Sequence, residues 1–233
     1  MGILKDRKKA TILKFFKTIP KNLRDTIVSV CSDLYDGFIN SAKEVFGKNI
    51  RIVIDRFHVA KLYRKVVDTI RKQEMRRLKK CLTEKKYAEL KGLMWAIRKA
   101  KPELSEEEKS LLKKVFKLSP KLKKVYDFSN ELTDIFDTKT TRNGGIRRLK
   151  NWMKRVRESG ISSFNTFLST LGKRTEEIAN YFISRESSGF VEGFNNRLKV
   201  LKRRCYGIVD RIHLFRRISL DIGNTHPEPV FIY

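Results

Sequence analysis

Glu192 lies in the run Ser187-Ser188-Gly189-Phe190-Val191-Glu192-Gly193-Phe194-Asn195-Asn196-Arg197-Leu198-Lys199, and it is the only carboxylate between Ser187 and Tyr206. If the run is helical, at about 100° per residue, Glu192, Asn196, Lys199 and Arg203 stack along one stripe. Phe190, Phe194, Leu198, Leu201 and Cys205 fall on the opposite side. An acid among amides and cations, backed by an apolar face, is the pattern expected where a metal ion meets a polyanion. An ordinary amphipathic helix with a solvated glutamate has the same pattern. Transferring a phosphodiester with bound divalent ions calls for two or three carboxylates around ions about 3.5–4 Å apart, and hard oxygen donors suit Mg2+ or Mn2+. Asp33 and Glu192 are the candidate catalytic and metal-binding pair; Asp55, His58 and Asn196 are secondary candidates. Each has a plainer alternative. Asp33 can cap a helix starting near Tyr35, a role Asp36 also fits; Asp55 can cap or pair with an arginine; a lone histidine such as His58 is more often a packing residue.

The elements that must position these groups are legible as periodicities. Ile12, Leu13, Phe15, Phe16 and Ile19 give a first helix from Lys8 to Ile19, closed by Pro20. The β-branched run 26–32 predicts a strand ending at Asp33, Tyr35 to Phe46 a helix stopped by Gly47, and residues 50–54 a second strand ending at Asp55. Strand, helix, strand over this span is a βαβ unit with parallel strands, so Asp33 and Asp55 share the carboxyl edge of the sheet, where open α/β folds place ligands. From Val59 to about residue 220 the chain reads as helices. Val59, Leu62, Tyr63, Val66, Val67 and Ile70 form one face of a long helix towards Leu82. Further stripes cover Tyr87–Ile97, Leu111–Leu118, Leu122–Phe136, Ile146–Val156, Ser162–Leu171 and Thr175–Ile183. Turn signals fall at Lys101-Pro102, Ser119-Pro120, Asn143-Gly144-Gly145 and Ser159-Gly160. Ser105 ahead of Glu106-Glu107-Glu108 is a capping box. Gly207 ends the Glu192 helix and 208–220 forms the last one, followed by an irregular tail.

Charge narrows the partner. The 233 residues carry 53 Lys and Arg against 26 Asp and Glu, a net charge of +27 that points to a polyanion. No apolar run approaches the roughly 20 residues of a membrane span, so nucleic acid is favoured over lipid. Arg197, Lys199, Lys202, Arg203 and Arg204 form one basic cluster. Arg147, Arg148, Lys150, Lys154, Arg155 and Arg157 form a second, in which Trp152 reads as core rather than a base-stacking group. Cys31, Cys81 and Cys205 are scattered and odd in number, which argues for a reducing, cytoplasmic compartment and against structural zinc. No nucleotide-binding loop, dinucleotide fingerprint or Ser/His/Asp spacing is present.

The segments Ile52-Val53-Ile54-Asp55-Arg56-Phe57-His58-Val59-Ala60-Lys61-Leu62 and Gly189 to Lys199, followed by Lys202-Arg203-Arg204-Cys205-Tyr206-Gly207, resemble the signatures of bacterial DDE transposases of the IS-L-three insertion-sequence family. The resemblance runs from about Lys8 to Leu220. It implies a ribonuclease-H-like core in which Asp33 matches the second catalytic aspartate and Glu192 the catalytic glutamate, with a two-ion Mg2+ (or Mn2+) site. The partners implied are the DNA ends of an insertion sequence, a second copy or a full-length transposase. The expected fold is predominantly helical α/β: a partial core over 1–58, an all-α insertion over 59–185, the glutamate helix and a closing helix over 186–221, and a tail over 222–233. The family's first aspartate precedes the Lys8–Ile19 helix, so the expectation is the carboxyl-terminal part of a catalytic domain, inactive alone. The rival expectation is a non-catalytic basic DNA-binding protein; an RNA-binding protein ranks last.

Overall fold

The computed structural model describes residues 4–204 and 209–222. Along the chain run α1 (Lys9–Lys17), α2 (Lys21–Arg24), β1 (Ser29–Ser32), α3 (Asp36–Phe46), β2 (Arg51–Ile54), α4 (Arg56–Cys81), α5 (Glu84–Ala88), α6 (Leu93–Ala96), α7 (Glu106–Leu118), α8 (Pro120–Asp137), α9 (Arg142–Glu158), α10 (Asn165–Lys173), α11 (Thr175–Ala179), α12 (Tyr181–Ser184), α13 (Gly189–Arg204) and α14 (Arg211–Ile222). Helix accounts for 74% of the described residues, far above the roughly one third usual in globular proteins, so the two short strands are an exception among them. The chain divides into two compact units, one of residues 1–55 with 186–233 and one of residues 56–185. The expected Gly207 stop and the tail from residue 223 lie outside the described residues.

In the first unit β1 and β2 pair in parallel, Ser29 opposite Arg51 and Ser32 opposite Ile54, with α3 as the crossover. Ile52, Val53 and Ile54 are buried, as the β-branched run demands. The first strand is shorter than the expected 26–32. Thr26 and Ile27 donate their amides back to Leu23 and Arg24 and the Thr26 hydroxyl donates to the Leu23 carbonyl, so these residues close the α2 turn instead of joining the ladder. Helix α1 packs on α3, with Ile12, Ile39 and Ala42 fully buried and the Phe16 and Phe46 rings 5.0 Å apart. Helices α13 and α14 pack together, burying Leu201, Phe215 and Ile218.

The second unit is built on α4, a 26-residue helix whose buried Val59, Tyr63, Val67, Ile70, Glu74 and Leu78 recur every three or four residues. Its core is aromatic. Tyr63 lies 5.4 Å from Phe164 and 5.8 Å from Trp152, and Trp152 meets Phe128 and Phe167 edge-on. Both polar tips are satisfied inside: the Tyr63 hydroxyl donates to the Val125 carbonyl at 2.7 Å and Trp152 Nε1 to that of Phe128 at 3.0 Å. Glu74 secures the Ser119-Pro120 turn. It accepts from the Ser119 hydroxyl at 2.8 Å and from Arg77, while Ser119 caps α8 through the Leu122 amide. Burial raises the Glu74 pKa, and the hydrogen bonds from Ser119 and Arg77 more than offset that, leaving it lowered. The Ser105–Glu108 capping box forms in both directions.

Two sequence expectations fail in this unit. The stripe Tyr87–Ile97 is two short helices, α5 and α6, because Gly92 between them takes a left-handed φ of 94°. Asn143-Gly144-Gly145 is no turn: it forms the first turn of α9, started by Thr141, whose hydroxyl accepts from the Gly144 amide. The glycine there serves packing. A Cβ on Gly145 would stand 2.1 Å from Cδ2 of Phe182, whose ring stacks on Phe136 at 5.8 Å. Gly145→Ala therefore destabilises the second unit by roughly 1–3 kcal/mol, read as a lowered urea midpoint, despite alanine's better helix propensity. A neutral or stabilising result would show that Phe182 yields freely.

Candidate functional site

The carboxyl edge of the small sheet carries Asp33 and Asp55. The Ser32–Ile54 pair ends the ladder, so Asp33 and Asp55 leave it side by side, with the Asp55 amide donating to the Ser32 carbonyl at 3.1 Å. Their environments then diverge. Asp33 Oδ1 accepts from the Tyr35 amide at 3.0 Å and Oδ2 from Arg7 Nη2 at 2.7 Å. The Arg7 guanidinium lies 4.7 Å from the Tyr35 ring centre and 5.8 Å from that of Phe38, so two aromatic faces help hold it over the carboxylate. Asp33 keeps 26% of its side chain exposed. It turns the chain ahead of α3 but is not the cap residue, which is Tyr35.

Asp55 is fully buried. Its Oδ2 accepts from the Ser188 amide at 3.1 Å and from the Ser188 hydroxyl. A second tie runs from the start of the same strand, where Arg51 Nη2 meets Glu186 Oε1 at 2.6 Å. The segment 186–188 is thus fastened to both ends of β2. Cys31, opposite Val53, registers the buried charge: burial pushes its thiol up to about 11, with the Asp55 and Glu186 carboxylates adding to the effect. Cys31 and Cys81 are both free thiols.

Helix α13 starts at Gly189, immediately after the fastened serine, and the Glu192 amide donates to the Ser188 carbonyl at 2.8 Å. Glu192 therefore stands one turn beyond the carboxyl edge of the sheet, exposed, on the same exposed stripe as Asn196, Lys199 and Arg203. Asn196 Oδ1 accepts from Lys199 Nζ at 3.4 Å. On the opposite side Phe194 and Leu198 are half-buried and Leu201 is buried. His58 lies in the first turn of α4, in the other unit, half-buried.

The basic candidates sort into free and engaged. Lys199, Lys202, Arg203 and Arg204 are exposed on α13, whereas Arg197 clamps α13 to α14 through Asp221 at 2.8 Å. On α9, Arg147, Arg148, Lys150 and Arg157 are exposed and in no ion pair among the described residues; Arg155 pairs with Glu131 at 2.8 Å and Lys154 stands 3.8 Å from Glu158. Trp152 is wholly buried. Sequence reasoning missed Arg7, Arg51, Glu186 and Ser188, because nothing local marks a serine as the partner of an aspartate 133 residues away.

Oxygen donors of this kind suit Mg2+ or Mn2+. Among the described residues, however, no three His, Cys, Asp or Glu side chains are grouped to hold an ion, and Arg7 already neutralises Asp33. As arranged, these residues alone do not fit a resident metal.

The family model described as a transposase, that of the IS-L-three DDE type, matches residues 1–218, and the chain belongs to that family. It is 27% identical over 214 residues to the transposase for insertion sequence element IS1001 of Bordetella parapertussis. That match covers 91% of this chain and 52% of the relative, so the chain spans about half the relative's length. No solved structure matches it. No helix among the described residues is long and apolar enough to cross a membrane.

Proposed function

We propose that this chain works in DNA transposition, contributing Asp33 and Glu192 to a centre that cleaves phosphodiesters at insertion-sequence ends and joins them to new DNA. The observation that carries the reading is the fastening of Ser188 to Asp55, because it sets Glu192 one turn from the sheet edge that Asp33 occupies. On this reading β1 and β2 are the fourth and fifth strands of a ribonuclease-H-like sheet, and the helices of residues 59–185 are an insertion ahead of the glutamate helix. Were a divalent ion of the kind the family resemblance implies to bind, Asp33 and Glu192 would be its ligands from this chain, and it would supply stabilisation of the charge developing on the transferred phosphoryl group. The protein's own contribution at this stage is to bind and orient DNA, its exposed cations on α13 and α9 contacting phosphates and displacing counterions.

A second reading, DNA binding without chemistry, is favoured by one observation, the Arg7 guanidinium seated on Asp33. Binding of duplex DNA followed by fluorescence anisotropy tests what the two share. The logarithm of the affinity falls linearly with the logarithm of salt concentration, with a slope of about −0.9 per phosphate contacted. Replacing Lys202, Arg203 and Arg204 together by glutamine makes the slope shallower by roughly two to three. A flat salt dependence would refute both readings. Strand cleavage that disappears in Glu192→Gln and Asp33→Asn, with DNA affinity unchanged, selects the first; cleavage surviving both overturns it.

A further inference from the structure

Asp55 is a carboxylate with no exposed surface, in a position where a strand could have ended on any small residue. Burying a carboxylate is costly unless it is paired or richly hydrogen-bonded, so its presence demands a structural return. The return is Ser188. One oxygen of Asp55 takes both the amide and the hydroxyl of the residue that immediately precedes α13. A carboxylate is suited to this because it only accepts, so it cannot turn a donor towards the serine as an asparagine could. Bonds to an ionised acceptor are also about twice as strong as neutral ones, and a negative charge at a helix N-terminus is favoured by the helix dipole. The Arg51–Glu186 pair adds a second fastening two residues earlier, so the entry to α13 is held at two points along one strand. From Ser188 to Glu192 is four residues of helix, a rise of about 6 Å.

We propose that Asp55 is a positioning residue for Glu192: by holding both donors of Ser188 it fixes the first turn of α13 at the carboxyl edge of the sheet, and with it the carboxylate one turn on. This rests on the assignment of Glu192 above, but it gives Asp55 a task distinct from metal ligation, for which a fully buried carboxylate already bonded to serine offers no open face.

Hydrogen exchange of the 233-residue chain tests the fastening without reference to catalysis. Ser188→Ala and Asp55→Asn each speed exchange of the amides of residues 191–196 at least tenfold while leaving α4 unchanged, and the double variant is no faster than the faster single one, because both remove the same contact. Ser188→Thr, which keeps the hydroxyl, restores protection. Glu192→Gln leaves the exchange pattern as it was. If Asp55→Asn unfolds the chain, the Ser188 pair of variants carries the test, since Ser188 is only half-buried. Unchanged exchange in Ser188→Ala, or threonine failing to restore protection, overturns the proposal. The functional arm is excision of the element encoding the chain: Ser188→Ala lowers it at least tenfold with DNA affinity intact, and threonine recovers it. Normal excision in Ser188→Ala despite faster exchange also overturns the positioning role. Normal excision in Glu192→Gln would instead remove the catalytic assignment and leave the fastening standing.

Discussion

On the proposed assignment, glutamine at position 192 is expected to lower excision of the insertion sequence by roughly 10^2–10^3-fold. The size follows from what such a group would do: a carboxylate holding a divalent ion where negative charge develops during phosphoryl transfer would carry that ion's electrostatic stabilisation, and one such interaction is commonly worth two to three orders of magnitude. The substitution is close to isosteric, and Glu192 is exposed in the first turn of α13, so the fold gives little reason for loss. What glutamine does remove is a negative charge near a helix N-terminus, worth about 0.3–1 kcal/mol, too little to unfold the unit. Asp33→Asn is expected to match it, whereas Lys199→Gln on the same stripe reduces DNA affinity and not the chemical step. Excision within threefold of the wild type in Glu192→Gln would leave the glutamate as a solvated surface charge.

The other large effect concerns the helical unit. Trp152→Ala is expected to cost about 3–5 kcal/mol in the unfolding free energy of residues 56–185, followed by urea with far-ultraviolet circular dichroism. Trp152 has no exposed surface and contacts Tyr63, Phe128 and Phe167 at once. Its removal opens a cavity at the meeting point of α4, α8, α9 and α10, and it takes away the indole's hydrogen bond to the Phe128 carbonyl. Set against the 5–15 kcal/mol of a typical domain, that is a large share of the total. Arg148→Ala, four residues upstream and exposed, is expected to change stability by less than about 0.5 kcal/mol. A cost below about 1 kcal/mol for Trp152→Ala would mean the aromatic cluster is not the core of the unit.

These contrasts show what could be read from the chain. The stripe Val59, Tyr63, Val67 and Ile70 announced α4, and the alternation before Asp33 and Asp55 announced a parallel pair, because one element's burial writes its own period into the sequence. Asn143-Gly144-Gly145 misled for the converse reason: glycine is chosen there for the nearness of the Phe182 ring, a tertiary demand that looks locally like a turn. The site was legible only as single residues. Asp33 and Glu192 stand out by type and surroundings, but Arg7 sits 26 residues from Asp33 and Ser188 133 from Asp55, and no local pattern encodes such pairings. Whether a basic side chain is held in an ion pair was equally hidden, since Arg197 meets Asp221 on α14 while its exposed neighbours Lys202 and Arg203 on α13 are in no ion pair among the described residues.

The distance between Asp55 and Ser188 also sets a timetable for synthesis. At about 5–20 residues per second, the 133 residues between them separate their emergence from the ribosome by roughly 7–27 seconds. Throughout that interval β2 ends in an ionised side chain whose partner has not been made, so the carboxylate must stay hydrated and the edge of the sheet cannot close. The intervening residues 56–185 form a compact unit of their own, with local helical contacts of the kind that settle in milliseconds or less. The nascent chain is therefore expected to complete its middle first and its ends last. A nascent chain halted with residue 185 outside the ribosome and Ser188 still inside it would hold a finished helical unit and an unfinished sheet.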